Sequence, residues 1–298
     1  MPDVTANGIK IEYETFGDAS AEPMLLIMGL GAQMLTWDEG FCEMLADSGY
    51  FVIRYDNRDV GLSEKIEGSY MPDIMSFMAS IARGEKVNVP YTLDDMADDA
   101  TGLMDALSID RAHICGASMG GMIAQALAIR NPSRALSMIS IMSTTGNPDL
   151  PPPEPQALQV LIAPMPSERE GYVESFVEAW KVVAGPESSG DEERVRNLAA
   201  RGYDRCYYPE GVLRHIMAVS AHGSRKEALG SVKVPTLVIH GSADPLVPVE
   251  GGIDTAESIP GAKLAIIENM GHYIPSHMWP RVVKEISEHA KKANRIDM

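Results

Sequence analysis

The pentapeptide Gly116-Ala117-Ser118-Met119-Gly120 constrains the folding of this chain more than any other stretch. It follows the short apolar run Ala112-His113-Ile114-Cys115 and precedes Gly121 to Ile129, a stretch that reads as a helix. A G-x-S-x-G sequence is meaningful in that setting of strand, sharp turn and helix. The turn forces its apex residue into a strained backbone conformation, tolerable only if the residues two before and two after have no side chain to collide. Gly116 and Gly120 meet that need. At the apex, Ser118 projects its hydroxyl from the carboxyl edge of a sheet, beside the positive end of the following helix.

A serine hydroxyl is a poor nucleophile at neutral pH and needs a base, usually histidine, that is itself oriented by a carboxylate. The acid candidate is Asp244, in the loop Gly241 to Pro248 that follows the β-branched run Thr236 to His240. Loops at such strand ends face the site in open α/β sheets. An aspartate before a proline also commonly just closes a turn. The base candidate is His272, in Met270-Gly271-His272-Tyr273, after the strand-like run Leu264 to Ile267 and before an amphipathic stretch starting near Trp279. Among the other histidines, His113 reads as a satisfied strand residue, His289 as part of a charged terminal helix and His240 as a support for the Asp244 loop. His215 and His222 lie in less regular sequence, where they face substrate or solvent. His277, nearer the helix start, ranks second to His272.

Attack on a carbonyl also requires donors for the developing oxyanion. The first is the backbone N–H of Met119. The second is assigned to Leu30, in Gly29-Leu30-Gly31 at the end of the apolar run Met24 to Met28, because flanking glycines let its amide point inward. An ordinary turn leaving a strand would use the same glycines.

On Met28 to Gly31, Arg54 to Ser63, Gly116 to Gly120, Gly241 to Pro248 and Gly271-His272, the chain resembles the α/β-hydrolase superfamily. Within it, the likeness is to the bacterial esterases related to aclacinomycin methylesterase. These segments span nearly the whole sequence. Most superfamily members have glycine after the arginine of Asp-x-Arg-Gly-x-Gly-x-Ser; Asp59 stands there, as in the methylesterase-like branch. Met28 occupies the place where many relatives carry histidine, which removes a polar group and leaves the backbone donor. The resemblance implies an α/β class chain with the α/β-hydrolase fold, a mostly parallel central sheet with helices on both faces and an inserted lid. It also implies ester hydrolysis, without fixing the ester, and the chain order serine, acid, histidine for a triad of Ser118, Asp244 and His272.

A chain of 298 residues with 45% hydrophobic content can bury one large sheet core plus an insertion. Alternating strands and helices point to a parallel sheet covered on both sides. The core is assigned to 1–146 and 232–298. The lid is assigned to 147–231, opened by Asn147-Pro148 and Pro151-Pro152-Pro153 and closed by Val232 to Pro235. Tyr172, Phe176 and Trp180 at near-helical spacing, with Met142 and Tyr273, are assigned to an apolar substrate pocket, although a small core of the lid itself would use the same residues. The stretch Lys65 to Pro90, with Met71, Met75, Phe77 and Met78, is too long for a simple link and is placed beside the substrate entrance.

A formal net charge of -17 argues against nucleic acid and anionic membrane surfaces as partners. Asp94, Asp95, Asp98 and Asp99 read as the solvated first half of a helix over Thr92 to Leu107. Cys42, Cys115 and Cys206 lack disulfide or metal-ligand spacing. No apolar stretch is long enough to span a bilayer and no secretory leader is evident, so a cytoplasmic location is expected. No cofactor or metal is called for. The expected partner is a small-molecule ester, and a homodimer is left open. Ser118 disfavours an epoxide hydrolase or haloalkane dehalogenase, which need a carboxylate nucleophile. A lactonase, acting on macrolide or homoserine lactones, or a cofactor-free perhydrolase or haloperoxidase would share the triad, and a ligand-binding receptor with a relict triad would share the fold.

Overall fold

The apolar and β-branched runs form strands because period-two alternation lets each strand feed two separate cores. The computed structural model describes residues 2–68, 74–85 and 87–293. Its strands are β1 (Asp3–Ala6), β2 (Ile9–Phe16), β3 (Glu22–Ile27), β4 (Tyr50–Tyr55), β5 (Ala112–Ala117), β6 (Ala135–Ile141), β7 (Thr236–Gly241) and β8 (Lys263–Ile267). They make one sheet in the order β1-β2-β4-β3-β5-β6-β7-β8. The pairs β1–β2 and β2–β4 are antiparallel, and every later neighbouring pair is parallel.

The helices are α1 (Glu39–Asp47), α2 (Ile74–Ala82), α3 (Leu93–Ala106), α4 (Met119–Arg130), α5 (Pro155–Ile162), α6 (Arg169–Val183), α7 (Glu192–Arg205), α8 (Pro209–His222), α9 (Lys226–Leu229), α10 (Val249–Ser258) and α11 (Trp279–Ala293). On one face of the sheet, Leu25, Ile27, Ile53 and Ile114 pack with Leu103 of α3 and Ile123 of α4. On the other, Met24, Leu26, Val52 and Ile139 pack with Leu45 of α1 and Ile286 of α11. Adjacent residues of β3 thus serve opposite cores, as the expected layering requires. Helices α5 to α9 all lie in the interval between β6 and β7.

Helix α3 begins at a reciprocal cap: the Thr92 hydroxyl accepts from the Asp95 N–H, and the Asp95 carboxylate accepts from the Thr92 N–H at 2.7 Å. Asp94 and Asp98 reach Arg130 on α4 across the surface. Asp99 departs from the solvated reading. It is buried and paired with Arg58 at 2.6 Å, with Asn7 as a further donor, because the face of α3 that carries it turns toward the β4 loop. Burial outweighs that pairing and raises its carboxyl above the ordinary aspartate value. His215 is also corrected: it lies within regular helix α8 and is buried, and His222 ends the same helix beside Asp94. Of the stretch expected at the entrance, Phe77 is buried and α2 packs against α8. Met71 and the side chains of Met75 and Met78 lie outside the described residues. No described helix is long and apolar enough to cross a membrane.

Candidate active site

Ser118 sits between the end of β5 and the first residue of α4 with φ 56° and ψ −122°, a conformation costly for any residue with a side chain. The neighbourhood over-determines it. The Ser118 N–H donates to the Ile141 carbonyl at 2.9 Å, and the Ser143 hydroxyl donates to the Ser118 carbonyl at 2.8 Å. A Cβ on Gly116 would lie 2.0 Å from the Gly120 carbonyl oxygen, and one on Gly120 would lie 2.1 Å from the Ile27 oxygen. Both glycines are therefore demanded by backbone crossing at the turn.

His272 and Asp244 come to this serine from loops after β8 and β7. The His272 Nε2 is 2.9 Å from the Ser118 Oγ, and its Nδ1 is 2.8 Å from the Asp244 Oδ2. An ionised carboxylate only accepts, so Nδ1 carries the proton and Nε2 is free to accept from the serine hydroxyl. The other Asp244 oxygen accepts from the N–H groups of Leu246 and Val247 at 2.9 and 2.8 Å. The same carboxylate thus both closes its turn and contacts the imidazole. His240 lies 3.6 Å from Asp244 and donates through Nε2 to the Val247 carbonyl, supporting the loop as expected. Burial lowers the His240 pKa, keeping the ring neutral. His277 is exposed and turned to Glu187, while His113 and His289 are buried with hydrogen-bond partners at Ser137 and the Pro235 carbonyl.

The Gly29–Leu30 backbone lies directly beside the serine: a Cβ on Gly29 would be 3.1 Å from the Ser118 Cβ and 3.5 Å from its Oγ. Met119 begins α4, where helix geometry leaves its N–H without a carbonyl four residues back. Asn57 donates to the Met28 carbonyl at 2.9 Å and holds the start of the Gly29 loop.

Ser118, His272, Leu30 and the expected pocket residues Met142, Tyr172, Phe176, Trp180 and Tyr273 all border one cavity of about 340 Å³. Trp180 and Phe176 also join Val177 and Val195 in a small cluster, so the same aromatics border the cavity and pack among the helices between β6 and β7. A more open hollow of about 610 Å³, near Glu22, Phe51 and Arg111, lies at the opposite ends of the strands. No described residue of the Lys65–Pro90 stretch lines the Ser118 cavity.

The cavity wall includes residues absent from the sequence reading: Trp37 and Phe41 near α1, Val160 and Leu161 on α5, Leu198 on α7 and Trp279 on α11. Its polar corner is Arg194 of α7, which donates to Asp38 at 2.8 Å and to the Tyr273 hydroxyl, with its guanidinium 4.6 Å from the centre of the Trp279 ring. Asp38 neutralises this arginine. Two buried pairs also join the β6–β7 interval to the β4 loop: Arg205 to Asp56 at 2.6 Å and Arg214 to Asp59 at 2.8 Å. Burial pushes the Asp59 carboxyl up more than any single contact pulls it down, but hydrogen bonds from Arg214, Tyr91 and the Ile66 N–H, with the Arg214 charge, together leave the pKa below the ordinary range. The sequence signal for that pair is Asp59 standing where the superfamily resemblance leads one to expect glycine.

Residues 22–276 match the alpha/beta hydrolase fold family. Two rhodomycin D methylesterases are similar along their whole length: DauP of Streptomyces sp. (strain C5), 30% identical over 97% of this chain and 98% of its own, and DnrP of Streptomyces peucetius, 29% identical over the same shares. The meta-cleavage product hydrolase CumD of Pseudomonas fluorescens IP01 shares the fold, with TM-score 0.78 at 22% identity over 98% of each chain. The methylesterase-like resemblance thus extends across the chain, and the protein belongs to the alpha/beta hydrolase fold family.

Proposed function

We propose that this chain is an esterase-type serine hydrolase acting on a neutral, medium-sized hydrophobic ester, with Ser118 as nucleophile, His272 as base and Asp244 as its orienting acid. The observation that carries the reading is the continuous chain of contacts from the Asp244 carboxylate through His272 to the Ser118 hydroxyl, which borders a mostly apolar cavity. His272 takes the Ser118 proton as the oxygen attacks the ester carbonyl, and the N–H groups of Leu30 and Met119 stabilise the oxyanion. His272 returns the proton to the departing alcohol. Water activated by the same imidazole then releases the carboxylic acid and frees the serine. No step calls for a cofactor.

The segment 147–231 serves as the lid in this proposal, since its helices α5 to α8 supply much of the wall of the cavity that Ser118 borders. Neutralisation of Arg194 by Asp38 favours an uncharged substrate over a carboxylate, which would have to compete with an ion pair already made. Methylesterase relatives support a methyl ester as the reacting group.

The test is a panel of p-nitrophenyl esters of increasing chain length, aromatic methyl esters and lactones, run on the wild type and on Ser118→Ala, with a fluorophosphonate probe for covalent labelling. Hydrolysis and labelling that both vanish in Ser118→Ala support the reading. Turnover of the variant within about tenfold of wild type would reject the nucleophile. Faster turnover of lactones than of every open-chain ester would replace the substrate class, and an unlabelled, inactive wild type would favour a binding protein.

A further inference from the structure

The second oxyanion donor sits on a loop with little structure of its own, and its far end is held by a helix from the β6–β7 interval. The Gly31 N–H donates to the Nδ1 of His215 on α8 at 3.1 Å. The Nε2 of the same ring is 2.8 Å from the Arg58 carbonyl oxygen, which can only accept. His215 therefore carries its proton on Nε2 and presents a lone pair at Nδ1. The ring is fully buried and meets Tyr91 edge to face, with centres 6.3 Å apart. Gly31 has φ +67°, and a Cβ there would be 2.9 Å from Val212 Cγ2, one turn before His215. The loop beside Ser118 is thus moulded against α8 at two adjacent places.

We propose that His215 is a positioning residue for the oxyanion hole: by clamping the Gly31 amide to the Arg58 carbonyl, it fixes the direction of the neighbouring Leu30 N–H and ties that direction to the placement of α8. This rests on the esterase reading, in which Leu30 donates to the oxyanion. The physical requirement is a neutral ring, because an imidazolium has no lone pair to accept from Gly31. Burial pushes the His215 pKa down to about 4, against a smaller upward pull from the Arg58 carbonyl. The charged groups around it, Asp59, Arg214 and Arg58, are paired with one another or with Asp99. The clamp therefore stays intact at neutral pH.

Three substitutions in the full chain separate the contacts. In His215→Asn the side-chain oxygen falls where Nδ1 was and still accepts from Gly31. In His215→Gln the amide reaches the place of Nε2 and keeps only the Arg58 contact. His215→Leu keeps neither. With p-nitrophenyl butyrate, we expect His215→Asn to hold kcat within about fivefold, and His215→Gln and His215→Leu to lose roughly 10- to 100-fold in kcat with KM moving less than about threefold. Affinity for a trifluoromethyl ketone, whose hydrated or serine-bound oxygen mimics the oxyanion, should fall in step with kcat, whereas affinity for the product acid should not.

Equal losses in His215→Asn and His215→Leu, or a kcat for His215→Gln within about threefold of wild type, would overturn the proposal. If the variants fail to fold, nitrogen NMR of the wild-type histidines decides: an Nδ1 of His215 that is unprotonated from about pH 5 to 8 supports the clamp, and a protonated Nδ1 refutes it. Failure of the esterase reading shows separately, as Ser118→Ala retaining activity. If turnover is too slow to measure, the rate of fluorophosphonate labelling replaces kcat, since phosphonylation uses the same oxyanion donors.

Discussion

Replacing Asp244 by asparagine tests the proposed site with almost no change in shape. One carboxylate oxygen accepts from the Leu246 and Val247 N–H groups, and the other accepts from His272 Nδ1. Asparagine has one oxygen and one NH₂, so the two contacts compete for the oxygen. Turning the NH₂ toward the two backbone donors would leave both unsatisfied at a cost of about 1–3 kcal/mol each. The oxygen therefore stays with the turn and the NH₂ faces Nδ1. Nδ1 must then accept, the imidazole proton moves to Nε2, and Nε2 can no longer take the proton of Ser118. The expected loss is about 10⁴-fold in kcat, equivalent to about 5 kcal/mol of transition-state stabilisation. The turn keeps its hydrogen bonds, so thermal stability should change little. The assay is burst and steady-state release of p-nitrophenol, with Ser118→Ala as the floor and a melting curve as the control. Asp244→Asn within about tenfold of wild-type kcat would refute the assignment of Asp244 as orienting acid.

Arg214→Leu should destabilise the protein by about 3–5 kcal/mol in chemical denaturation, because it strands the buried Asp59 carboxylate; adding Asp59→Gly should recover most of the loss. The folded pKa of Asp59 lies below its ordinary value of 3.8, so its contribution is present above that pH and disappears as the pH falls through the lower folded value. Wild type should accordingly lose more stability than Asp59→Asn on acidification below about pH 4. Gly120→Ala places a methyl group 2.1 Å from the Ile27 oxygen and should cost about 4 kcal/mol or more, read as loss of soluble protein or a large fall in melting temperature. Phe176→Ala enlarges the cavity beside α6, and should raise kcat/KM for long acyl chains relative to short ones; an unchanged chain-length profile would remove Phe176 from the acyl pocket.

Much of the site was legible because its signals are local. Gly116 and Gly120 bracket Ser118 within five residues, and the backbone conflict that requires them arises inside the same turn. Asp244 and His272 follow strands whose apolar character is written in consecutive residues, so their places at one sheet edge follow from parallel strand order. Less was legible where pairing joins distant chain. Asp59 and Arg214 are 155 positions apart, and Asp38 and Arg194 are 156 apart. No periodicity links such residues, and a charged side chain in sequence reads by default as solvated, which is why the burial of Asp99 against Arg58 is invisible there.

The sequence by itself determined the alternation of strand and helix, the strained serine turn and the order in which an acid and a histidine follow it, since each depends on steric and hydrophobic preferences acting over a few residues. Only tertiary structure decided which histidine of seven touches Ser118, which arginines fasten the β6–β7 interval to the β4 loop, and that His215 grips the loop at Gly31. Those outcomes depend on how the helices between β6 and β7 settle on the sheet edge, where burial converts isolated charges and imidazoles into paired ones.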